Sequence, residues 1–272
     1  MANFTTHIAV GTVVAGALAT LTLAADVVAP ENLIAVTMAG VLGSVLPDID
    51  LKESRPSKAM FAGLGIFFSF AVLFSFALNY SIAELWILWL GTLAGVRYGL
   101  HAIFHRLAVH RGIWHSLMAA AFCAVATAVV FKTVLGRHEG VAWLAAGFMF
   151  IGYLVHLTLD EMYSVDVMDV RIKSSFGTAL KLFDGRHPYA SLAMAAATAA
   201  LITISPPTKT FTDGVSSRNL WTGLNQRLLP DNGWFGVLNV PGKFASPATG
   251  SGSADPALTT GSIPNPAPDP QK

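Results

Sequence analysis

Residues 140–159 read GVAWLAAGFMFIGYLVHLTL, twenty consecutive residues without Asp, Glu, Lys or Arg, and Asp160 follows. A helix needs about 20 mainly apolar residues to cross the hydrocarbon of a bilayer. This stretch supplies them and carries a lone imidazole, His156, near its end. Working outward, uncharged runs also occupy 8–25, 32–47, 59–83, 112–131 and 188–208. A further run, 85–96, extends to about 104 if Arg97 snorkels. The pattern predicts an all-α, polytopic transmembrane helical bundle of about seven segments. The second is short enough to be tilted or re-entrant.

Composition agrees. Charged residues are 12% of the 272, about half the ~25% of a soluble domain. Hydrophobic residues are 53%, and the mean hydropathy is +0.56. Too little charge is present to cover a soluble globule of this size, which excludes a soluble enzyme or a secreted disulfide scaffold. A net charge of +1 gives no electrostatic footprint for nucleic acid. Cys123 is alone, so neither an intrachain disulfide nor a cysteine metal cluster can form. The first run has no basic residue before it, Lys52 being the first Lys or Arg, so it reads as a retained helix and not a signal peptide.

Basic residues alternate between loops. Lys52, Arg55, Lys58, Arg97, Arg106, Arg111, Arg171, Lys173, Lys181 and Arg186 fall on one side, against Lys132 and Arg137 on the other. The positive-inside rule then puts the N-terminus and loops 48–58, 97–111 and 160–187 in the cytoplasm. Residues 1–205 form the membrane domain. Residues 206–244, with Trp221, Trp234 and Phe235, suit a small extramembrane or interfacial appendage. Residues 245–272 are rich in Pro, Ser, Gly, Ala and Thr, and predict a disordered tail.

Ionisable residues at membrane depth are costly and mark candidate sites. Here they are His7, the pair Asp48 and Asp50 beside Pro47, the run His110-Arg111-Gly112-Ile113-Trp114-His115-Ser116, and His156 with Asp160. Given the loop assignment, all four groups fall at the cytoplasmic face at similar depth. His156 and Asp160, at i and i+4, share a helix face about 6 Å apart along the axis. An irregular turn at Pro47 would offer Asp48 and Asp50 to one side. His110 and His115 would diverge by ~140° on one helix, but Gly112 allows a loop-to-helix transition. Singly, each residue has an ordinary explanation, such as a turn cap or a histidine bonded to a carbonyl. Jointly they make a nitrogen and oxygen ligand set, suited best to Zn, with Mn or Fe as alternatives. Seven candidates exceed one tetrahedral site, so either two ions bind or some residues are outer-shell groups or bases. Arg97, His101 and His105 form another stripe, read as an interfacial polar face, with a second site as the alternative. His138 and His187 read as loop residues without partners. The Phe-rich 61–76 stretch reads as lipid-facing, and Ala-rich 190–200 as a packing surface.

These motifs resemble the YdjM-like family. They are His7, the run Gly43-Ser44-Val45-Leu46-Pro47-Asp48-Ile49-Asp50, the run 110–116, and Gly152-Tyr153-Leu154-Val155-His156-Leu157-Thr158-Leu159-Asp160. The family is described as LexA-binding, inner-membrane-associated, metal-dependent hydrolases. The resemblance covers about residues 1–185, and four motifs in the family's order make it fairly specific. It implies a bacterial inner-membrane protein with metal residues His7, Asp48, Asp50, His110, His115, His156 and Asp160. A looser similarity, to zinc-dependent phospholipase C, comes from the His/Asp pattern on helices.

The expected function is therefore a metal-dependent hydrolase at the cytoplasmic leaflet. Asp50 or Asp160 would orient water or take its proton, and Arg111 would hold a phosphate oxygen. Headgroup depth favours a lipid phosphoester or another amphiphile as substrate. The alternatives are a structural metal site, metal or proton transport, and an adaptor for cytoplasmic partners. A transporter should hold its ionisable residues near the midplane. The oligomeric state is not legible.

Overall fold

The computed structural model describes residues 3–50, 54–107, 112–166, 171–172 and 180–228. His110 and Arg111, and everything after Leu228, including the expected tail, lie outside the described residues. The described chain is helical apart from a two-residue antiparallel ladder, β1 (Val165–Asp166) with β2 (Arg171–Ile172).

Every uncharged run carries a helix. The order is α1 (Phe4–Ala24), α2 (Pro30–Gly43), α3 (Arg55–Phe76), α4 (Ile82–Ala94), α5 (His101–Leu107), α6 (Leu117–Thr133), α7 (Glu139–Met162) and α8 (Pro188–Ile204). A π turn, Gly95–Leu100, joins α4 to α5, so Ile82–Arg106 is one rod. Two short helices follow, α9 (Lys209–Ser216) and α10 (Arg218–Arg227). Among the described residues, four helices are long and apolar enough to cross a membrane, α1, α3, the α4–α5 rod and α7, and a fifth span results if α8 and α9 are counted as one bent pair. At 14 residues α2 is about 21 Å long, short of the ~30 Å hydrocarbon. It stops at Gly43, whose carbonyl gets no i+4 partner because Pro47 has no N–H, and a 3-10 turn, Leu46–Asp50, follows.

Starts are capped as the sequence allows. Ser54, Ser81 and Ser116 accept backbone N–H groups at the heads of α3, α4 and α6, and Ser81 with Glu84 makes a full capping box. The uncharged run 112–131 begins its helix only at Leu117, which leaves His115 in the preceding turn.

The helix that opened the sequence argument is the centre of the bundle: α7 packs against α1, α2 and α6. It approaches α2 closely because glycines face each other. A Cβ on Gly152 would fall on the carbonyl oxygen of Gly40, and one on Gly43 would fall on that of Met149. Beside this seam lies a core of Leu46, Ile49, Trp114, Met149, Tyr153 and Leu157. The Tyr153 hydroxyl donates to the Trp114 carbonyl at 2.5 Å, and Trp114 Nε1 donates to the Leu46 carbonyl at 2.9 Å. These bonds tie the turn before α6 to both α7 and the 3-10 turn after α2.

Other expectations need correction. Phe67, Phe70 and Phe74 are exposed as expected of a lipid face, but Phe61 is buried against His101 and Phe104. The Ala-rich helix α8 packs on α6, yet most of its surface stays open. In the Arg97/His101/His105 stripe the two histidine rings meet edge-on at 4.4 Å beside Phe61. Arg97 is exposed, whereas His101 lies edge-on to Phe61 and His105 Nε2 hydrogen-bonds Ser57 Oγ at 3.0 Å. Neither loop histidine is idle. His138 Nδ1 accepts the Gly140 N–H at the head of α7, and His187 Nδ1 pairs with Asp184 at 2.8 Å.

Candidate metal centre

Four elements bring their ionisable residues to one end of the bundle. α1 contributes His7, the 3-10 turn contributes Asp48 and Asp50, the turn before α6 contributes His115, and α7 contributes His156 and Asp160. His7, Asp50, His115, His156 and Asp160 are all buried, and Asp48 is the open member with 20% of its side chain exposed.

Asp160 is the hub. Its Oδ1 lies 3.2 Å from His7 Nε2, and its Oδ2 lies 3.8 Å from His156 Nε2 and 3.9 Å from His115 Nε2. Asp48 Oδ1 stands 3.6 Å from His156 Nε2. The His7 and His156 rings stack at 3.7 Å and 12°. His156 Nδ1 donates to the Ser44 carbonyl at 2.8 Å, which leaves Nε2 with a lone pair aimed at the carboxylates.

Asp48 and Asp50 do not face one point. Residues i and i+2 of a 3-10 turn diverge by about 120°. Asp48 reaches His156, whereas Asp50 Oδ2 lies 3.3 Å from His115 Nδ1, the side of that ring away from Asp160.

The donor set fits a cation. His7 Nε2, His156 Nε2 and Asp160 Oδ1 are buried within a few ångströms of one another, yet none makes an aligned hydrogen bond. Buried polar atoms left this way are costly unless something else satisfies them. Among the described residues, two groups place one donor atom from each member within 4.8 Å of the others: His7/His156/Asp160 and Asp48/His115/His156. Both use His156, and one Nε2 lone pair serves one ion, so the two groups cannot fill independently. Burial pushes the Asp48 carboxyl above its usual value, and the nearby Asp160 and Asp50 add to that push while His7 and His115 oppose it. A cation would relieve this crowding of carboxylates.

The model of the YdjM inner membrane protein family matches residues 1–170. The chain belongs to this family. Its match ends just beyond Asp160, so the YdjM region contains every candidate ligand and excludes α8, α9 and α10. Comparison with curated proteins and with solved structures finds no match. What the YdjM description shows is an inner membrane protein, and what the packing shows is a buried His/Asp group able to hold a metal ion.

The structure brings His7, Asp48, Asp50, His115, His156 and Asp160 together, and two features that no side-chain motif reports help hold them. Ser44 acts through its carbonyl, which no side-chain motif reports. Gly43 and Gly152 were visible only as small residues at the ends of two motifs.

Proposed function

We propose that the chain is a membrane-embedded, metal-dependent hydrolase whose centre faces the cytoplasmic leaflet and takes a phosphoester or another amphiphilic substrate. One observation carries the reading: His7, His115, His156 and Asp160, from three separate elements, bring nitrogen and oxygen donor atoms around one buried point beside a partly open carboxylate, Asp48. Zinc is the metal this set suits best, with Mn or Fe as alternatives. His7, His156, Asp160, His115 and Asp48 would hold it. A divalent ion there supplies Lewis acidity and lowers the pKa of water.

The protein's own groups do the rest. Ser44 fixes the His156 tautomer. Asp50 sits behind His115 and holds its ring, a positioning role in place of the ligand or base role that the spacing suggested. Asp160 has two oxygens facing different histidines, so one can take a proton while the other stays bound. Asp48, at the open side, is placed to meet substrate first. Arg111 would hold a phosphate oxygen through a charge-assisted fork. Seven apolar helices, α2 included, complete the bundle, with the N-terminus in the cytoplasm as the loop charges require. Clustering at one end of the bundle favours this over transport, which needs such residues at the midplane.

The test is a screen of phospholipid and soluble phosphoester hydrolysis by purified protein, with and without chelator. Chelator-sensitive turnover restored by zinc is expected, and Arg111→Lys should lower it ~10²-fold while metal content holds. Full turnover by Arg111→Lys would remove the phosphoester assignment. Turnover indifferent to chelator would remove the hydrolase reading.

A further inference from the structure

The chain turns sharply after α8. α8 and α9 meet at 89°, and α8 packs along α6, so α9 runs across the bundle. The break is fastened to α7. Trp143 Nε1 donates to the carbonyls of Pro206 and Pro207 at 2.9 and 3.1 Å, and the Thr210 hydroxyl bonds the Glu139 carboxylate. α10 is fastened to α1, where Arg227 Nη1 donates to the Ala24 carbonyl at 3.1 Å. Both anchors lie at the first turns of α7 and the last residue of α1, the end of the bundle away from His7 and Asp160.

Both short helices are two-faced. Phe211 and Val215 are at i and i+4 of α9, with Lys209 and Asp213 opposite. Leu220, Trp221, Leu224 and Leu228 make one stripe along α10, with Arg218, Asn219, Thr222 and Gln226 opposite. Phe211, Leu220 and Leu224 are half-buried, whereas Val215, Trp221 and Leu228 are exposed. The exposed members continue an apolar surface open at the same end: Leu21, Leu23 and Val27 around the close of α1, and Ile202 and Ile204 on α8. Those side chains are lipid-facing in a membrane bundle. A helix pair held in water would leave Trp221 and Leu228 stranded beside them.

We infer that α9 and α10 form a belt lying in the plane of the membrane, within the leaflet opposite the metal centre. Val215, Trp221 and Leu228 dip into the acyl chains, the indole sits at the interface where tryptophan is enriched, and Lys209 and Arg218 meet anionic headgroups. The belt fixes how deep the bundle sits. α7 has 24 residues and is about 36 Å long, slightly more than the ~30 Å hydrocarbon. Holding Glu139 at one interface therefore holds Asp160 at the other. This depth assignment stands whether or not the centre hydrolyses anything.

The experiment places single spin labels at Val215→Cys, Trp221→Cys, Asp213→Cys and Asn219→Cys in the full chain, with Cys123→Ala. The protein is reconstituted in vesicles of phosphatidylethanolamine and phosphatidylglycerol. Power saturation should give oxygen-to-nickel-chelate accessibility ratios at 215 and 221 at least about threefold above those at 213 and 219. Free access of the chelate to all four positions would put the belt in water and overturn the inference. Exclusion of both reagents at 215 and 221 would show protein, such as a second copy, covering them, and would overturn it equally. A measurement without cysteine variants checks the same point. Quenching of tryptophan fluorescence by lipids brominated near the headgroup should fall in Trp221→Phe, and unchanged quenching would count against the belt.

Discussion

His156 Nδ1 lies 2.8 Å from the backbone carbonyl oxygen of Ser44. A carbonyl only accepts, so the proton belongs to Nδ1, and Nε2 keeps its lone pair toward Asp48 and Asp160. One hydrogen bond thus joins the end of α2 to α7 and orients the His156 ring.

Metal retention should follow from that arrangement. Wild-type protein purified without chelator is expected to hold near one equivalent of transition metal, and His156→Ala should lose most of it because His156 is common to both donor groups. Nitrogen NMR of the labelled imidazole should show the Nδ1–H tautomer. Equal metal in wild type and His115→Ala/His156→Ala would sink the centre.

Asp50 and Asp160 should separate in titrations. Asp50 touches His115 on the Nδ1 side, so Asp50→Asn should weaken metal binding roughly 10–100-fold, the scale of an outer-shell partner, and keep the coordination number of a cobalt-substituted sample. Asp160→Asn should change both affinity and the cobalt spectrum. Identical spectra and affinities for the two variants would contradict the assignment.

The glycine seam should be intolerant of a single methyl. A Cβ at Gly152 meets the Gly40 carbonyl, which is backbone and cannot swing aside. Gly152→Ala should therefore cost about 1–3 kcal/mol as overpacking, and should weaken metal binding too, since parting α2 from α7 stretches the Ser44–His156 bond. A thermal melt and a metal titration read both. Gly147→Ala, on the same helix but with nothing near its Cβ, is the control and should change neither.

Acid should loosen the loop before α8. Asp184 is buried, which raises its carboxyl, but His187 and Lys181 outweigh this and hold it below the ordinary value. A depressed folded value means that its stabilisation is complete above the unfolded Asp value, near ~3.9, and is lost as pH falls through the folded one. The Leu117 and Met118 amides donate to the Lys181 and Leu182 carbonyls, so they report the loop. Their hydrogen exchange, corrected for intrinsic rates, should rise below about pH 4 in wild type. In Asp184→Asn it should already be raised at neutral pH and change little with acid. A wild-type protection factor that is flat with pH would refute this.

Sidedness has its own check. Lys58 and Asp213 are exposed and lie toward opposite ends of the bundle. In intact cells an impermeant maleimide should label Asp213→Cys and spare Lys58→Cys, and lysis should expose both. The reverse pattern would invert the orientation and move the proposed centre to the outer leaflet.

The sequence by itself determined the class of molecule and the kinds of side chain gathered at one end of the bundle. Runs such as 140–159 are too long and uncharged for any element but a buried or lipid-facing helix, and hydrogen-bond closure in lipid leaves a helix as the local solution. Spacing placed His156 and Asp160 on one face, because the helical repeat is local. It could not rank Asp48 against Asp50, since a two-residue offset means one thing in a loose turn and another in the 3-10 turn Leu46–Asp50. Nor could it show that His101 turns toward Phe61, or that Ser44 serves through its backbone. Those depend on how closely α2 and α7 approach and on which neighbour occupies each side of a ring. Such contacts join residues as far apart as Ser44 and His156, and only the packed bundle brings their atoms within reach.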